Sequence, residues 1–129
     1  MAQQFIVQLR NTPGALTALS ELLADNGVDL RAIGGGGIGD LGHVIMTTAD
    51  DDTARRLLRE GGYVFIEGES LLAEVEDRPG GMAHLARRLS DAGVNIYGHL
   101  FLGRWGDRAM FAFVVDDPEK ARPILEARG

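Results

Sequence analysis

An internal repeat constrains this chain more than any other feature of its sequence. The tetrapeptide Asn11-Thr12-Pro13-Gly14 returns 66 residues later as Asp77-Arg78-Pro79-Gly80. The same spacing relates Gly27-Val28 to Gly93-Val94 and, with no gap, Asp50-Asp51 to Asp116-Asp117. Because one register holds through several predicted elements, we expect a duplicated fold with two modules, residues 1–67 and residues 68–129.

Each repeat has the pattern of a β-α-β-β-α-β unit. Strand-like runs rich in β-branched and aromatic residues alternate with segments whose apolar residues recur at helical spacing. The predicted strands are Phe5–Leu9, Val28–Ile33, Val44–Thr48 and Tyr63–Ile66 in repeat one, and Leu71–Val75, Val94–Leu102 and Met110–Val115 in repeat two. We expect Pro13 and Pro79 at the first helical positions, where a proline loses no hydrogen bond, with the polar residues before them as helix caps.

The end of repeat two departs from repeat one. Pro123 stands opposite Leu57, inside the expected last helix, where a proline removes a hydrogen bond and crowds the preceding turn. We expect the helix either to begin at Pro123 or to kink there. The sequence shows no clear final strand for repeat two, so one edge of its sheet is covered by repeat one, covered by a second chain, or exposed.

Composition argues against several classes of protein. The formal net charge is −6 and both repeats are acidic, which argues against a nucleic-acid partner. The apolar runs fall far short of the ~20 residues that a membrane-spanning helix needs, so we expect no membrane partner. The chain has no cysteine and no basic start followed by a long apolar stretch, which favours a cytoplasmic protein without a signal peptide.

Several other motifs have simpler explanations than a catalytic or metal site. Gly34–Gly39 satisfies the dinucleotide pattern G-x-G-x-x-G, but the segment after it resembles a strand and not a helix. We interpret it as a flexible hairpin or bulge, or as space for a ligand or an aromatic side chain. The histidines lack metal-ligand spacing, and Asp50-Asp51-Asp52 is typical of a helix start. We therefore predict no catalytic residue, no metal and no cofactor.

The repeated motif resembles that of the ACT domain. The shared pattern is a strand ending in Asn/Asp-x-Pro-Gly, a helix, and then Gly-Val-Asn/Asp-Ile/Leu at the start of a strand. The resemblance implies an α+β fold of two tandem ferredoxin-like βαββαβ modules, with antiparallel sheets and helices on one face, the second lacking a clear final strand. It also implies a regulatory protein, not an enzyme, that binds an amino acid at the interface between two such modules.

The resemblance assigns the ligand to the two Pro-Gly loops and to the two strand starts. A helix N-terminus attracts a carboxylate, and an asparagine side chain can accept a hydrogen bond from an ammonium group. The residues concerned are Asn11, Thr12, Pro13, Gly14, Ala15, Leu16, Asp29 and Leu30 in repeat one, and Asp77, Arg78, Pro79, Gly80, Gly81, Met82, Asn95 and Ile96 in repeat two. Because two aspartates repel a carboxylate, we predict one competent site from Asn11 and Asn95 and one degenerate site from Asp29 and Asp77.

We interpret the chain as a small amino-acid sensor that forms a homodimer and acts on a regulated enzyme. Modules of this size have marginal cores alone, so pairing would also stabilise them. Two alternatives stay open: a docking or dimerisation module that has lost its ligand, and an enzyme on the same scaffold. The sequence does not identify the amino acid.

Overall fold

The chain divides into two compact units. The structure, a computed structural model, describes residues 2–126. The units are Met1–Gly68, which we call module 1, and Glu69–Gly129, which we call module 2. Residues 127–129, at the end of the second predicted module, lie outside the described residues.

Module 1 has the complete β-α-β-β-α-β order. Its elements are β1 (Gln3–Arg10), α1 (Ala15–Asp25), β2 (Leu30–Ile38), β3 (Leu41–Thr48), α2 (Asp51–Glu60) and β4 (Phe65–Glu69). The strands form one sheet in the order β2-β3-β1-β4, in which β3 is antiparallel to both of its neighbours. This is the strand order of the ferredoxin-like fold, so the fold class predicted from the sequence is confirmed.

Module 2 repeats the design with three strands among the described residues. Its elements are β5 (Leu71–Glu76), α3 (Gly81–Asp91), β6 (Ile96–Trp105), β7 (Arg108–Val115) and α4 (Pro118–Glu126). They form a sheet in the order β5-β7-β6, with both pairs antiparallel. Within residues 2–126 this sheet has no counterpart of β4, as the sequence predicts.

Each module buries its own core between its sheet and its two helices. In module 1, Phe5 and Met46 of the sheet pack with Leu19 and Leu23 of α1 and with Leu58 of α2, all at most 1% exposed. The corresponding cluster of module 2 contains Phe113, Leu89, Ala121 and Leu125. The helical positions are those at which apolar residues recur every three or four residues, so the helices lie on one face of each sheet.

A bulge in β6 breaks the predicted 66-residue register. Strand β6 pairs Phe101 with Phe111 and then Gly103 with Met110, so Leu102 is an additional residue in the strand. From there the two repeats differ by one more position, because Phe5 pairs with Met46 but Leu71 pairs with Phe113. The prediction that the register continues without a gap to the second aspartate pair is therefore wrong.

The shifted register changes which residues correspond in the last helices. The carboxylate of Asp50 accepts from the backbone of Thr53 at 3.1 Å, and that of Asp117 accepts from the backbone of Lys120 at 3.1 Å. Asp117, and not Asp116, is thus the counterpart of Asp50. Helix α4 begins at Pro118, not at Pro123, and continues through Pro123, which is exposed at the position of Arg56. An exposed proline there does not disturb the buried face that Ala121 and Leu125 provide.

The helices after the Pro-Gly pairs begin later than predicted. Helix α1 starts at Ala15 and α3 at Gly81, so neither Pro13 nor Pro79 is the first helical residue. The residues before the helices are Gly14 and Gly80, which adopt left-handed backbone angles with φ of 89° and 88°. A residue with a side chain is strained at such angles, which explains the glycine in both loops.

Candidate ligand-binding site

Asn11 links the loop before α1 to the hairpin between β2 and β3. Its backbone N–H donates to the carbonyl of Asp40 at 2.9 Å, and its Nδ2 donates to the carbonyl of Gly39 at 2.9 Å. Because the amide nitrogen is used in this way, Oδ1 is the atom that the side chain can offer to a ligand as an acceptor. The carboxamide lies over Gly37, where an added Cβ would approach its Cγ to 2.8 Å.

The interpretation of Asn11 and Asp77 as helix caps is wrong. No side chain of residues 2–126 caps the first turn of α1 or of α3. Asn11 is bonded to the β2–β3 hairpin instead, and Asp77 accepts a hydrogen bond from Arg104 at 2.8 Å. The first turns of α1 and α3 also carry no acidic residue, so their partial positive charges are not neutralised there.

A groove of about 450 Å³ lies beside this loop in module 1. One wall is the loop and first turn of α1, from Asn11 to Leu16, and the other is the glycine run of β2. Residues 34–38 belong to β2 and pair with β3 without a register shift, and Gly39 lies in the turn that follows, so the run forms one arm and part of the turn of a hairpin and not a bulge. A strand, β3, and not a helix comes after the run, which is the context that argues against dinucleotide binding.

The glycines that face the helix side of the sheet are Gly35 and Gly37. Gly35 pairs with Val44, which pairs with the buried Val7, and Gly37 pairs with Gly42, which pairs with Leu9. Residues paired directly across strands share a face, so both glycines lie on the side of α1. Neither adds a side chain to the groove, and the side chain that lies over Gly37 is the carboxamide of Asn11.

In module 2 the same positions carry large side chains. In module 1, Val7 pairs with Val44, which pairs with Gly35, and the corresponding residues of module 2 are Ala73, Phe111 and Phe101. The series of pairs that ends at Gly37 in module 1 ends at Arg104 in module 2. The guanidinium of Arg104 lies 4.8 Å from the centre of the Phe101 ring and donates to Asp77, the counterpart of Asn11. In module 2, a side chain of β6 therefore contacts the loop residue Asp77. In module 1, the corresponding loop residue, Asn11, borders an open groove.

The charges around the two loops are opposite. Arg10 ends β1 and lines the groove, and it forms no ion pair with any other residue between 2 and 126. Its counterpart in module 2 is Glu76, beside Asp77. The Arg78 guanidinium donates to Glu76 and holds the pKa of that carboxyl below its ordinary value. The loop of module 1 thus has an arginine without an ion pair among residues 2–126, whereas the two carboxylates at the loop of module 2 are each paired with an arginine.

The predicted residues at the strand starts lie at the far end of each sheet from the loops. Asp29 and Leu30 precede or begin β2, where the backbone of Ala49 donates to Asp29 at 2.9 Å, whereas Asn11 lies near the turn between β2 and β3. Asn95 occupies the same place in module 2 and donates its backbone N–H to the carboxylate of Asp116 at 2.9 Å. Within one module, therefore, the loop and the strand start do not come together.

The predicted aspartates are paired with arginines. Asp77 is bonded to Arg104, and the carboxylate of Asp29 lies 3.5 Å from Nε of Arg31. The predicted repulsion of a carboxylate treats both aspartates as unpaired negative charges. Each has a local cation, so charge alone is a weaker reason for a degenerate site than the side chains of Phe101 and Arg104.

Thr12, Pro13 and Gly14 form the crest of the loop in module 1. They border a second, broader depression of about 860 Å³, which also contacts Tyr63 and Val64, and Thr12 lines the groove as well. Ala15 and Leu16 line the groove, and Leu16 is half exposed.

In module 2, Arg78, Pro79 and Gly80 are exposed, and Gly81 is buried so close to β5 that a Cβ would lie 2.1 Å from the carbonyl oxygen of Glu76. Met82, the counterpart of Leu16, is 36% exposed, and Ile96 is partly buried in the core of module 2.

Arg10, Ile33 and Arg104 belong to the two loop regions but were not predicted from the sequence as site residues. The exchange of Arg10 for Glu76 between the repeats was a usable signal, because a charge reversal beside a repeated motif indicates that the two loops differ in charge. The sequence did not identify Arg104 as the counterpart of Gly37, because a register without a gap places Gly103 at that position. Within residues 2–126, no three acidic or histidine side chains come together as a metal site, and no helix is long and apolar enough to cross a bilayer.

Comparison with known proteins identifies the fold of this chain. Neither protein-family profiles nor curated sequences gave a match. Among solved structures, protein BT0572 from Bacteroides thetaiotaomicron is 23% identical with a TM-score of 0.74 over 97% of this chain and 86% of that one. The regulatory subunit of aspartate kinase from Thermus thermophilus, in a ligand-free form, is 19% identical with a TM-score of 0.62 over 96% and 87%.

A longer enzyme contains the same arrangement. Aspartate kinase from Clostridium acetobutylicum, described as an allosteric enzyme, is 13% identical with a TM-score of 0.62, and 96% of this chain covers 32% of it. These likenesses extend over nearly the whole of this chain and include both modules. Together with the strand order of module 1, they show that the chain has the fold of these proteins, with two ferredoxin-like modules in tandem, which is the fold that the resemblance to ACT domains implies.

Proposed function

We propose that this chain is a regulatory protein that binds a free amino acid in the groove of module 1. The observation that carries the proposal is the difference between two modules of one design. Module 1 presents an open groove and a cation with no ion pair among residues 2–126, whereas module 2 has Phe101 and Arg104 at the positions of Gly35 and Gly37. A duplicated structural module without a ligand has no evident need for that difference.

The carboxylate of an amino acid has two favourable partners in module 1. The N-terminal end of α1 supplies backbone N–H groups and the positive end of the helix dipole. We propose that the guanidinium of Arg10, exposed at the end of β1 beside the loop, reaches the same carboxylate and binds it through two parallel hydrogen bonds. For comparison, α2 begins with Asp50, Asp51 and Asp52, so its N-terminus is already occupied by protein carboxylates.

The ammonium group of the ligand requires acceptors. Oδ1 of Asn11 is one, because the amide nitrogen of this side chain is held by the carbonyl of Gly39. This hydrogen bond fixes the orientation of the carboxamide before a ligand arrives, so little side-chain entropy is lost on binding. Asn95, the other asparagine that the ACT resemblance assigns to the ligand, is retained in the proposal and has its own variant in the test.

Regulation of an enzyme is the role that the structural relatives suggest. One is a regulatory subunit of aspartate kinase and another is an allosteric enzyme that contains the same arrangement. We propose that this chain likewise transmits ligand binding to a partner enzyme, and that it does so as a homodimer in the cytoplasm. Binding that stabilises one assembly over another would couple the ligand to the partner by linkage.

Isothermal titration calorimetry with each of the twenty amino acids tests the proposal. We expect one of them, or a small related group, to bind with a stoichiometry of one per chain. Asn11→Ala and Arg10→Ala should abolish the heat of binding, Asn95→Ala should weaken it, and Asp77→Ala should leave it unchanged. A panel without any binding would contradict the proposed function, and two equal sites per chain would contradict the asymmetry between the modules.

A docking or dimerisation module is the second candidate, and one observation favours it. Several large apolar side chains are well exposed, among them Ile38 at 92%, Val64 at 66% and Trp105 at 61%. Exposed groups of this kind are common at interfaces between proteins. Tight self-association that is independent of every amino acid, measured by analytical ultracentrifugation, would favour this candidate over a sensor.

A further inference from the structure

We infer that the ligand of the module 1 groove is an amino acid with an uncharged, apolar side chain. The inference rests on the proposed function and specifies the class of ligand. It is carried by the side chains that line the groove and by the charges that are absent among them.

The walls of the groove that face the ligand are mainly aliphatic. Leu16 of α1 and Ile33 of β2 line the groove and are 50% and 48% exposed. Leu9 of β1 and Val44 of β3 also line it. Covering these exposed side chains with an apolar group is favourable by about 25 cal/mol for each Å² removed from water.

The glycine run makes the remaining wall from backbone alone. Gly35 contributes no side chain to this wall, at the position where module 2 places Phe101, whereas the position of Arg104 is taken in module 1 by Gly37 with the Asn11 carboxamide over it. In module 2 the Phe101 ring packs against Phe111, with ring centres 5.6 Å apart. Where module 1 has Gly35, module 2 thus fills the space with an aromatic group, which indicates that this part of the groove accepts an apolar group.

The charges at the groove disfavour ionised ligand side chains. Arg10 and His43 are the ionisable groups among the described lining residues, and neither is a carboxylate. A lysine or arginine ligand would bring a second cation next to Arg10 without an anionic partner. An acidic ligand would have two carboxylates for one guanidinium, so one of them would lose water without full compensation.

Competition between amino acids of similar size tests the inference on the full chain. Calorimetry with leucine, methionine, phenylalanine, glutamate and lysine should give dissociation constants at least about tenfold lower for the best apolar ligand than for glutamate or lysine, because tenfold corresponds to about 1.4 kcal/mol. Leu16→Asp should weaken binding of that ligand by at least about tenfold, since it replaces an apolar wall by a charge. Met82→Asp, at the same position of module 2, should leave the affinity unchanged and is the matched control.

The outcomes separate this inference from the proposed function. Saturable binding of glutamate or lysine in preference to every apolar amino acid would overturn the inference while leaving an amino-acid sensor in place. Equal weakening by Leu16→Asp and Met82→Asp would also overturn it, because the groove would not be the site. No binding by any amino acid would overturn both. Circular dichroism of each variant establishes that it is folded.

Discussion

The carboxamide of Asn11 lies directly over Gly37, and the two residues are matched in size. A Cβ at position 37 would approach Cγ and Oδ1 of Asn11 to 2.8 Å and Nδ2 to 2.9 Å, far inside van der Waals contact. In module 2, where Arg104 takes the place of Gly37, the loop residue is Asp77 and the contact is an ion pair at 2.8 Å. The loop residue and the strand residue therefore change together between the modules.

Gly37→Ala should displace the Asn11 side chain and reduce ligand affinity by at least about tenfold, equivalent to about 1.4 kcal/mol. The added methyl group has no space unless the carboxamide moves away from Gly39 and gives up its hydrogen bond. Calorimetry with the best ligand measures the loss. Gly36→Ala is the matched control, because a Cβ there meets nothing within 4 Å and should leave the affinity unchanged.

The binding role of Asn11 depends on this comparison. Equal affinities of the Gly36 and Gly37 variants would contradict it. Thermal unfolding of both variants should be recorded as well, since only the Gly37 variant is expected to lose binding while both remain folded.

Gly81→Ala should destabilise the protein strongly, whereas its counterpart in module 1 tolerates the methyl group. A Cβ at Gly81 would lie 2.1 Å from the carbonyl oxygen of Glu76 and 3.1 Å from Val75, so α3 would have to move away from β5. We expect a loss of at least about 2 kcal/mol in the free energy of unfolding, as for other overpacked sites. The reverse change, Ala15→Gly, should cost no more than about 1 kcal/mol.

Urea denaturation of the two variants measures this difference. A Gly81→Ala variant as stable as the unaltered protein would show that α3 has freedom to shift, and that the two helices do not differ in how closely they pack. Because residue 81 lies in module 2, a folded Gly81→Ala variant should keep the ligand affinity of module 1.

Arg104→Ala should change the free energy of unfolding by less than about 1 kcal/mol, because the pair with Asp77 is exposed and such pairs contribute little. Whatever stabilisation it provides should diminish as salt is raised, since exposed charges are screened. Urea denaturation at low and high salt checks both expectations. A loss of several kcal/mol would mean that Arg104 supports the fold of module 2, and not merely the region around its loop.

The sequence predicts the architecture well because the architecture depends on repeated local signals. Helical spacing of Leu19 and Leu23, and of Leu85 and Leu89, identifies the buried faces of α1 and α3. The left-handed glycines at the helix ends, such as Gly27 with φ of 73°, are likewise visible in the repeat. These features depend on neighbours within a few residues, which a single sequence displays.

The details of the site depend on register, which the sequence does not display. A single extra residue, Leu102, moves Arg104 to the position of Gly37 and makes Asp117 the counterpart of Asp50. An alignment without a gap cannot find this, because a bulge is specified by strand pairing and not by composition. The prediction that Asn11 caps a helix failed for a similar reason: the chain turns at Gly14, and Asn11 contacts a hairpin 28 positions away in sequence.

The cap of helix α2 should make stability depend on pH in acid. The hydroxyl of Thr53 donates to the Asp50 carboxylate at 2.6 Å and its backbone N–H does so at 3.1 Å, which together hold the pKa of that carboxyl below its ordinary value of 3.8. A carboxyl whose pKa is lower in the folded than in the unfolded protein stabilises the fold above the unfolded pKa. That contribution is lost as the pH falls through the folded pKa.

Asp50→Asn keeps the shape of the cap and removes the charge, so it isolates this effect. We expect the unaltered protein to have the higher melting temperature at about pH 7, and the difference between the two proteins to shrink toward zero as the pH is lowered below about 4, the ordinary range of the Asp pKa. Thermal unfolding followed by circular dichroism at a series of pH values measures the difference. Asp25→Asn removes an equal charge at the exposed C-terminal end of α1 and serves as the control, since a negative charge there does not favour the helix. A difference for Asp50→Asn that stays constant from neutral pH into acid would show that the carboxylate charge contributes nothing to the cap, and that the hydrogen bonds to Thr53 act through their geometry alone.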